Sequence, residues 1–267
     1  MSRHLRVRIL GSGCSTGVPR IDGYWGACDP ENPRNRRTRC SLWLGLYDGD
    51  ALTSVVVDTS PEFREQMVRA GVRKLDAVLW THDHADQTHG IDDMRAYTFA
   101  REGVIAGYMD AATHATLTQR FGYIFEGKFG YPPICAAHIL PPHGTPWRIA
   151  GEGGELPVLT FDQAHGPIRS VGYRFGPVAY SSDVSDIPED SFAALQGVKV
   201  WIVDALRLRS HPTHAHLDLA LQWAERVRPE LTILTNLHQD MDYEALQAQL
   251  PPGVVPAYDQ MELNLTL

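Results

Sequence analysis

Residues 75–86 of the chain read LDAVLWTHDHAD, an apolar run followed directly by alternating histidine and aspartate. The apolar part, residues 75–80, predicts a short buried β-strand. Beyond it, His82, His84 and Asp86 are two residues apart, so their side chains point the same way in an extended segment. Imidazole and carboxylate are ligands of zinc and similar divalent ions. The stretch therefore predicts a metal site at a strand end, against the alternative of a polar loop in a chain with 12 histidines.

Two further candidate ligands follow predicted strands later in the chain. His165 precedes Gly166, which lets the backbone approach a ligand closely. Asp183 follows the apolar strand 178–181, where the alternative is an N-cap for the next turn. Together with His82 and His84, these two residues predict one metal site with room for water.

Composition and charge restrict the class of protein. The 267 residues, 43% hydrophobic and 21% charged, predict one ordinary globular domain over 1–267. A net charge of −8 disfavours binding to long nucleic acid. Neither a signal-peptide core nor an apolar run of roughly 20 residues is present, so we expect a cytoplasmic protein that does not enter a membrane. The four scattered cysteines are expected to be reduced and buried.

The order of predicted elements indicates packed sheets with helices outside. Strands are predicted at 5–10, 40–47, 51–58, 75–80, 156–162, 170–175, 178–181, 198–204, 231–234 and in the tail 254–267. Helices are predicted at 61–70, 92–102, 217–227 and 243–250. The long loop 11–39 is of the kind that often carries function. The Gly- and Pro-rich stretch 122–146 predicts an insert or lid.

A second group of histidines lies near the carboxyl end. Residues 210–217 read SHPTHAHL, just before the predicted helix 217–227. A histidine there can donate a proton, because its ordinary pKa is close to neutrality, or it can be a solvated turn residue. Residues alone do not choose among His211, His214 and His216. A further histidine, His238, follows the predicted strand 231–234.

The order of these motifs resembles the metallo-β-lactamase superfamily. The segments LGSGCSTGVP at 10–19 and GIDDMR at 90–95 resemble its branch with the phosphoribosyl cyclic phosphate phosphodiesterase and, more distantly, tRNA 3′-processing nucleases. The resemblance implies an αββα sandwich, that is, two mixed β-sheets flanked by helices. It implies metal binding by His82, His84, His165 and Asp183, with Asp183 bridging two ions and Asp86 on the second. It assigns His214 as the general acid.

Three departures from the family pattern concern metal sites. Gln87 and Asn236 stand where the family has histidines of the second site, which indicates a second site that is weak, altered or empty. His238 could replace Asn236 if the chain is extended there, and His89 is a weaker candidate. The early loop offers only Cys28 where some relatives have a cysteine cluster, so we expect no structural zinc there.

The expected activity is hydrolysis of a small phosphodiester, cyclic in the branch that the chain resembles. One or two divalent ions, zinc or manganese, would supply a hydroxide nucleophile, with Asp86 and His214 as catalytic residues. Arg20, Arg36 and Arg37 could hold phosphate or form a solvated patch. The alternatives are hydrolysis of an ester, thioester or lactone, and a non-catalytic metal-binding protein with a degenerate second site. The branch also suggests a homodimer.

Overall fold

Two mixed β-sheets lie face to face in a computed structural model, which describes residues 3–99 and 103–266. We number the strands of the described residues in chain order. The first sheet contains β1 (His4–Gly11), β2 (Ser41–Asp48), β3 (Ala51–Val57), β4 (Ala77–Leu79), β5 (Ile105–Met109), β6 (Cys135–Ile139) and β14 (Met261–Thr266). The second contains β7 (Trp147–Gly151), β8 (Gly154–His165), β9 (Ile168–Phe175), β10 (Val178–Ser181), β11 (Val200–Asp204), β12 (Leu231–Thr235) and β13 (Val254–Pro256).

Eight α-helices of the described residues are numbered in the same way. They are α1 (Phe63–Ala70), α2 (Ala85–Thr88), α3 (Arg95–Thr98), α4 (Ala111–Arg120), α5 (Gly122–Glu126), α6 (Phe192–Leu195), α7 (Leu217–Val227) and α8 (Tyr243–Gln249). Short 3₁₀ helices span Pro33–Asn35, Ile91–Met94 and Glu189–Ser191. None of these helices combines the length and the apolar character needed to cross a membrane.

The two sheets share one pattern of strand directions. In the first, the spatial order is β14-β1-β2-β3-β4-β5-β6, antiparallel from β14 to β3 and parallel from β3 to β6. In the second, the order is β13-β12-β11-β10-β9-β8-β7, antiparallel from β7 to β10 and parallel from β10 to β13. The expected αββα sandwich of two mixed sheets is confirmed.

Three apolar layers hold the sandwich together. Side chains such as Leu44 and Tyr173 fill the space between the sheets. Trp80 packs in the outer layer of the first sheet, and Trp201 in that of the second. Helix α7 buries Leu217, Ala220, Trp223 and Ala224, whose spacing places them on one helical face. Each fully buried large apolar side chain contributes about 1.5–3 kcal/mol to the stability of this arrangement.

Hydrogen bonds across the sandwich fix how the sheets meet at one edge. The Tyr173 hydroxyl donates to the Trp80 carbonyl at 2.8 Å, and the Val171 amide donates to the Thr81 carbonyl at 2.8 Å. Thr81 follows β4 of the first sheet, whereas β9 belongs to the second. The carboxyl ends of β4, β8 and β10 therefore meet, and the predicted ligands after them come together there.

Two expectations about local structure are wrong. The stretch 122–146 is not an insert or lid, because it forms α5 and then β6, which pairs with β5 and buries Cys135. Its Gly and Pro residues lie at the start of α5 and in the connections before and after β6. The helix expected at 92–102 is divided into a 3₁₀ turn and α3, and residues 100–102 lie outside the described residues. All four cysteines lie in the described ranges and are buried and unbridged, as expected.

The early loop is irregular apart from one 3₁₀ turn, and a single carboxylate holds both of its ends. Asp259 Oδ1 accepts hydrogen bonds from the Ser12 amide at 3.0 Å and hydroxyl at 2.9 Å. Its Oδ2 accepts from the Thr38 amide at 2.8 Å and hydroxyl at 2.6 Å. The loop that borders the site is thus anchored to the carboxyl-terminal segment.

We predict that Asp259→Ala destabilises the protein by roughly 3 kcal/mol, since it leaves buried donors without partners. Urea unfolding followed by circular dichroism measures the change. Asp50→Ala, in an exposed turn, is the matched control and is expected to change stability by less than about 0.5 kcal/mol. Equal stability of the two variants would contradict the anchoring role of Asp259.

Candidate metal centre

Three histidines converge where the two sheets meet. His82 and His84 follow β4, and His165 ends β8. One ring nitrogen from each lies within 4.8 Å of the others. His84 Nδ1 and His165 Nε2 are 3.3 Å apart. His82 and His165 are buried, whereas His84 is exposed, so the group is open to solvent on one side.

The opposite ring nitrogens of His82 and His165 are fixed by hydrogen bonds. His165 Nδ1 lies 2.7 Å from the Thr213 carbonyl, which can only accept, so Nδ1 carries the proton and Nε2 a lone pair. His82 Nδ1 lies 3.0 Å from the Thr81 hydroxyl, which in turn donates to Asp58 Oδ2 at 2.9 Å. Such partners orient imidazoles for metal binding.

These three side chains fit a single divalent ion. His82 Nε2 is buried and has no hydrogen-bond partner among the described residues, so its lone pair is free to bind an ion. Burial lowers the pKa of His82 to about 3, which keeps the ring neutral, as a metal ligand must be. Imidazole ligands suit zinc and several other transition metals.

Two carboxylates border the histidines. Asp183, after β10, is buried, and it forms a second convergent group with His165 and His214. Burial alone would raise the pKa of Asp183, but the neighbouring His82, His214 and His165 hold it below its ordinary value. Burial, and then the charge of Asp183, raises the pKa of Asp86 to about 6. The two acids are therefore close enough to influence each other.

His214 is paired with a buried acid that the sequence analysis missed. Its Nδ1 lies 2.8 Å from Oδ2 of Asp204, at the end of β11, and 3.9 Å from Asp183 Oδ1. Although burial lowers the pKa of His214, the carboxylates of Asp204, Asp183 and Asp86 together raise it to about 9. Of the three histidines left open in 210–217, this one faces the convergent group. Its ring centre is 4.7 Å from that of His165.

Other residues considered from the sequence lie outside both convergent groups. His238 is half-buried, and its Nδ1 accepts from the Asp240 amide at 3.3 Å. His89 is exposed and contacts Phe121. The ring centre of His211 is 5.2 Å from that of His214.

The three arginines of the early loop do not form a phosphate cradle. Arg37 is 2% exposed, and its guanidinium donates to the Met241 carbonyl at 2.7 Å, so it is neither a phosphate ligand nor a solvated side chain. Arg20 stacks on Tyr24 and pairs with Asp22. Arg36 stacks on Trp25. The last two keep their charges at the surface.

The sequence analysis missed three residues that support the histidines of the site. Asp58, Asp204 and Thr213 touch the histidines or their partners, and none belongs to a recognisable metal motif. Asp58 and Asp204 do share one signal with Asp183, because each is an acid at the end of an apolar strand or within two residues of it. That signal could have found both.

A cavity of about 380 Å³ opens over the centre. His84, Asp86, His165, Asp183 and His214 face it, together with Ser15, Pro167, Ile168, His211 and Thr213. Its size is within the range of small-molecule sites. The wall is polar on the side of the histidines and aspartates and apolar at Pro167 and Ile168. The cavity can therefore hold a small molecule that has a polar part and an apolar part.

Comparisons with known proteins agree with this geometry. The family model of the beta-lactamase superfamily domain matches residues 53–236. A crystal structure described as a new diphosphatase from the PhnP family has 34% identity and a TM-score of 0.87, and covers 100% of this chain and 99% of that one. Zinc-bound PqqB from Methylobacterium extorquens has 16% identity and a TM-score of 0.74, over 97% and 100% of the two chains, and so supports the fold.

A curated relative has a different kind of name. The octanoyltransferase of Porphyromonas gingivalis strain W83 is 32% identical over 263 residues, which are 97% of this chain. The chain spans 51% of that protein's length, so the name describes a protein about twice as long. The family match and the PhnP-family structure cover the strand ends that carry the histidines and acids. This chain therefore belongs to the metallo-β-lactamase superfamily, in the branch that includes the PhnP family.

Proposed function

We propose that the chain is a metal-dependent hydrolase of a small phosphodiester. The observation that carries the proposal is the hydrogen-bonded pair of Asp204 and His214, which lies against the three-histidine group. Expulsion of an alkoxide from phosphorus requires protonation of the leaving oxygen, and a histidine in this position can supply the proton. The PhnP-family structure is described as a diphosphatase, a name that denotes hydrolysis at phosphorus, and this supports phosphorus over carbon as the atom attacked.

Each side chain of the centre then has a chemical role. A divalent ion such as zinc or manganese, held by His82, His84 and His165, would supply Lewis acidity and activate water. His214 faces the cavity and donates a proton to the leaving oxygen, while Asp204 fixes its ring. Asp86 lies on the same wall and can accept a hydrogen bond from the attacking water.

We expect His84→Ala to lower turnover of bis(p-nitrophenyl) phosphate by more than about 100-fold, because loss of a ligand should exceed the 10–100-fold typical of residues behind ligands. The assay is run with added zinc or manganese. His89→Ala removes an exposed histidine of the same segment that lies outside both convergent groups, and it should retain activity. Undiminished turnover by His84→Ala would overturn the metal-dependent mechanism.

For His214→Ala, the loss should depend on the leaving group. Diphenyl phosphate expels a basic phenoxide and needs an acid, so its turnover should fall by about 100-fold or more. Bis(p-nitrophenyl) phosphate expels a weakly basic anion, and its turnover should fall much less. Steady-state kcat values on the two substrates measure the difference. Equal losses on both would show that His214 is not the general acid.

Asp204 is a positioning residue that acts through His214. Its substitution should therefore not slow the reaction further once His214 has been replaced. Asp204→Asn is expected to slow diphenyl phosphate hydrolysis by about 10–100-fold. The double variant with His214→Ala should be no slower than His214→Ala alone, because residues that act as a unit are not additive. Losses that multiply in the double variant would mean that Asp204 acts independently.

Acyl-ester or thioester hydrolysis is a second candidate, favoured by the relative named octanoyltransferase and by the apolar wall at Pro167 and Ile168. A metal-activated water and a proton donor serve attack on a carbonyl carbon equally well. Purified protein can be assayed on p-nitrophenyl octanoate, an octanoyl thioester and diphenyl phosphate. Cleavage of the acyl substrates with no action on the phosphodiester would replace the first proposal with this one.

A further inference from the structure

A buried amide lies between the two carboxylates of the centre. Gln87 is 1% exposed, and its Nε2 donates to Asp183 Oδ2 at 3.0 Å. The same nitrogen is 3.5 Å from Asp86 Oδ2. A primary amide nitrogen carries two hydrogens, so it can face both acids at once. An amide oxygen in that place would repel both, which assigns nitrogen to this end of the side chain.

The other end of the amide carries a cost. Gln87 Oε1 is buried and has no hydrogen-bond partner among the described residues. Leaving such an acceptor unpaired costs about 1–3 kcal/mol. The orientation is nevertheless kept, because the contact with Asp183 offsets that loss. Asp183 and Asp86 are the two acids that the family pattern assigns to a second metal ion.

The second position where the family has a histidine is also an amide here. Asn236 is 1% exposed, and its Nδ2 lies 3.1 Å from His214 Nδ1. It therefore packs against the Asp204–His214 pair. His238, the replacement considered from the sequence, belongs to neither convergent group of ligand atoms in residues 3–99 and 103–266. The second convergent group shares His165 with the first. Its Asp183 is hydrogen-bonded by Gln87, and its His214 by Asp204, so the residues present do not fit a second ion.

We propose that the chain holds a single metal ion at His82, His84 and His165, and that the Gln87 amide takes the place of a second ion by hydrogen-bonding Asp183 and Asp86. The amide donates to carboxylate oxygens that would otherwise bind or require a cation. This inference rests on the metal dependence of the proposed function, but it is independent of whether the substrate is a phosphodiester or an acyl ester.

Metal content measures the inference without an activity assay. Protein stripped with a chelator is loaded with zinc or with manganese, dialysed, and analysed by mass spectrometry of the elements. We expect one ion per wild-type chain with either metal. The variant Gln87→His/Asn236→His supplies one imidazole beside Asp86 and Asp183 and another beside His214, and it should bind two ions. His238→Ala is the matched control and should still bind one.

Each outcome decides between clear alternatives. Two ions in the wild type would overturn the inference, and a fall to one in His238→Ala would assign the second site to His238. If the wild type binds one ion when loaded with zinc but two when loaded with manganese, the inference would be overturned for manganese. A rotated Gln87 amide would then offer its oxygen to the second manganese ion. A wild type that binds no ion would overturn the proposed function as well. The wild-type result stands even if the double variant does not fold.

Discussion

The nitrogens of three imidazoles lie within 4.8 Å of one another at the rim of the sandwich, and this crowding constrains everything around them. His82 Nε2 is buried without a partner, and His165 Nε2 is held as an acceptor by the bond from its Nδ1 to Thr213. Acceptors facing one another are unfavourable unless a cation or a donated hydrogen lies between them, and His84 Nδ1 is 3.3 Å from His165 Nε2. The surrounding fold supplies the support, because Asp58 fixes Thr81 and Thr81 contacts His82.

Three residues that follow strands at this rim have an unfavourable backbone conformation. Asp58, Asp183 and Asn236 have φ values of 63°, 53° and 62°, in the left-handed region. Each such residue costs about 1–2 kcal/mol, although aspartate and asparagine tolerate it better than most side chains. The cost is offset by the hydrogen bonds of the turned segments, such as those from Thr81 to Asp58 and from Gln87 to Asp183. Strain of this kind is typical of functional sites.

Much of the site could be predicted because its residues follow apolar strands. His82, His84, His165 and Asp183 were found from strand ends, and the structure places them at one edge. The hydrogen bond between Asp204 and His214 could not be predicted, because it depends on the loop after β11 folding back over the end of that strand. The sequence identified Gln87 and Asn236 as departures, but their side-chain partners needed coordinates.

The secondary structure was predicted best where apolar residues repeat regularly along the sequence, and less well elsewhere. Helix α7 has the expected bounds, since its apolar face repeats clearly. Strand β6 was mistaken for part of a lid, because the Gly and Pro residues that precede it dominate the local composition. The 92–102 prediction missed the 3₁₀ turn at Ile91–Met94, where tertiary packing of Ile91 and Met94 prevails over helical propensity.

X-ray absorption at the zinc edge of the zinc-loaded wild-type protein tests the central claim, a one-ion centre built on three histidines. We expect a spectrum with imidazole nitrogens at about 2.0 Å from the zinc and no zinc–zinc scattering. A zinc–zinc vector at roughly 3.5–4 Å, the spacing of two-metal hydrolytic sites, would contradict it.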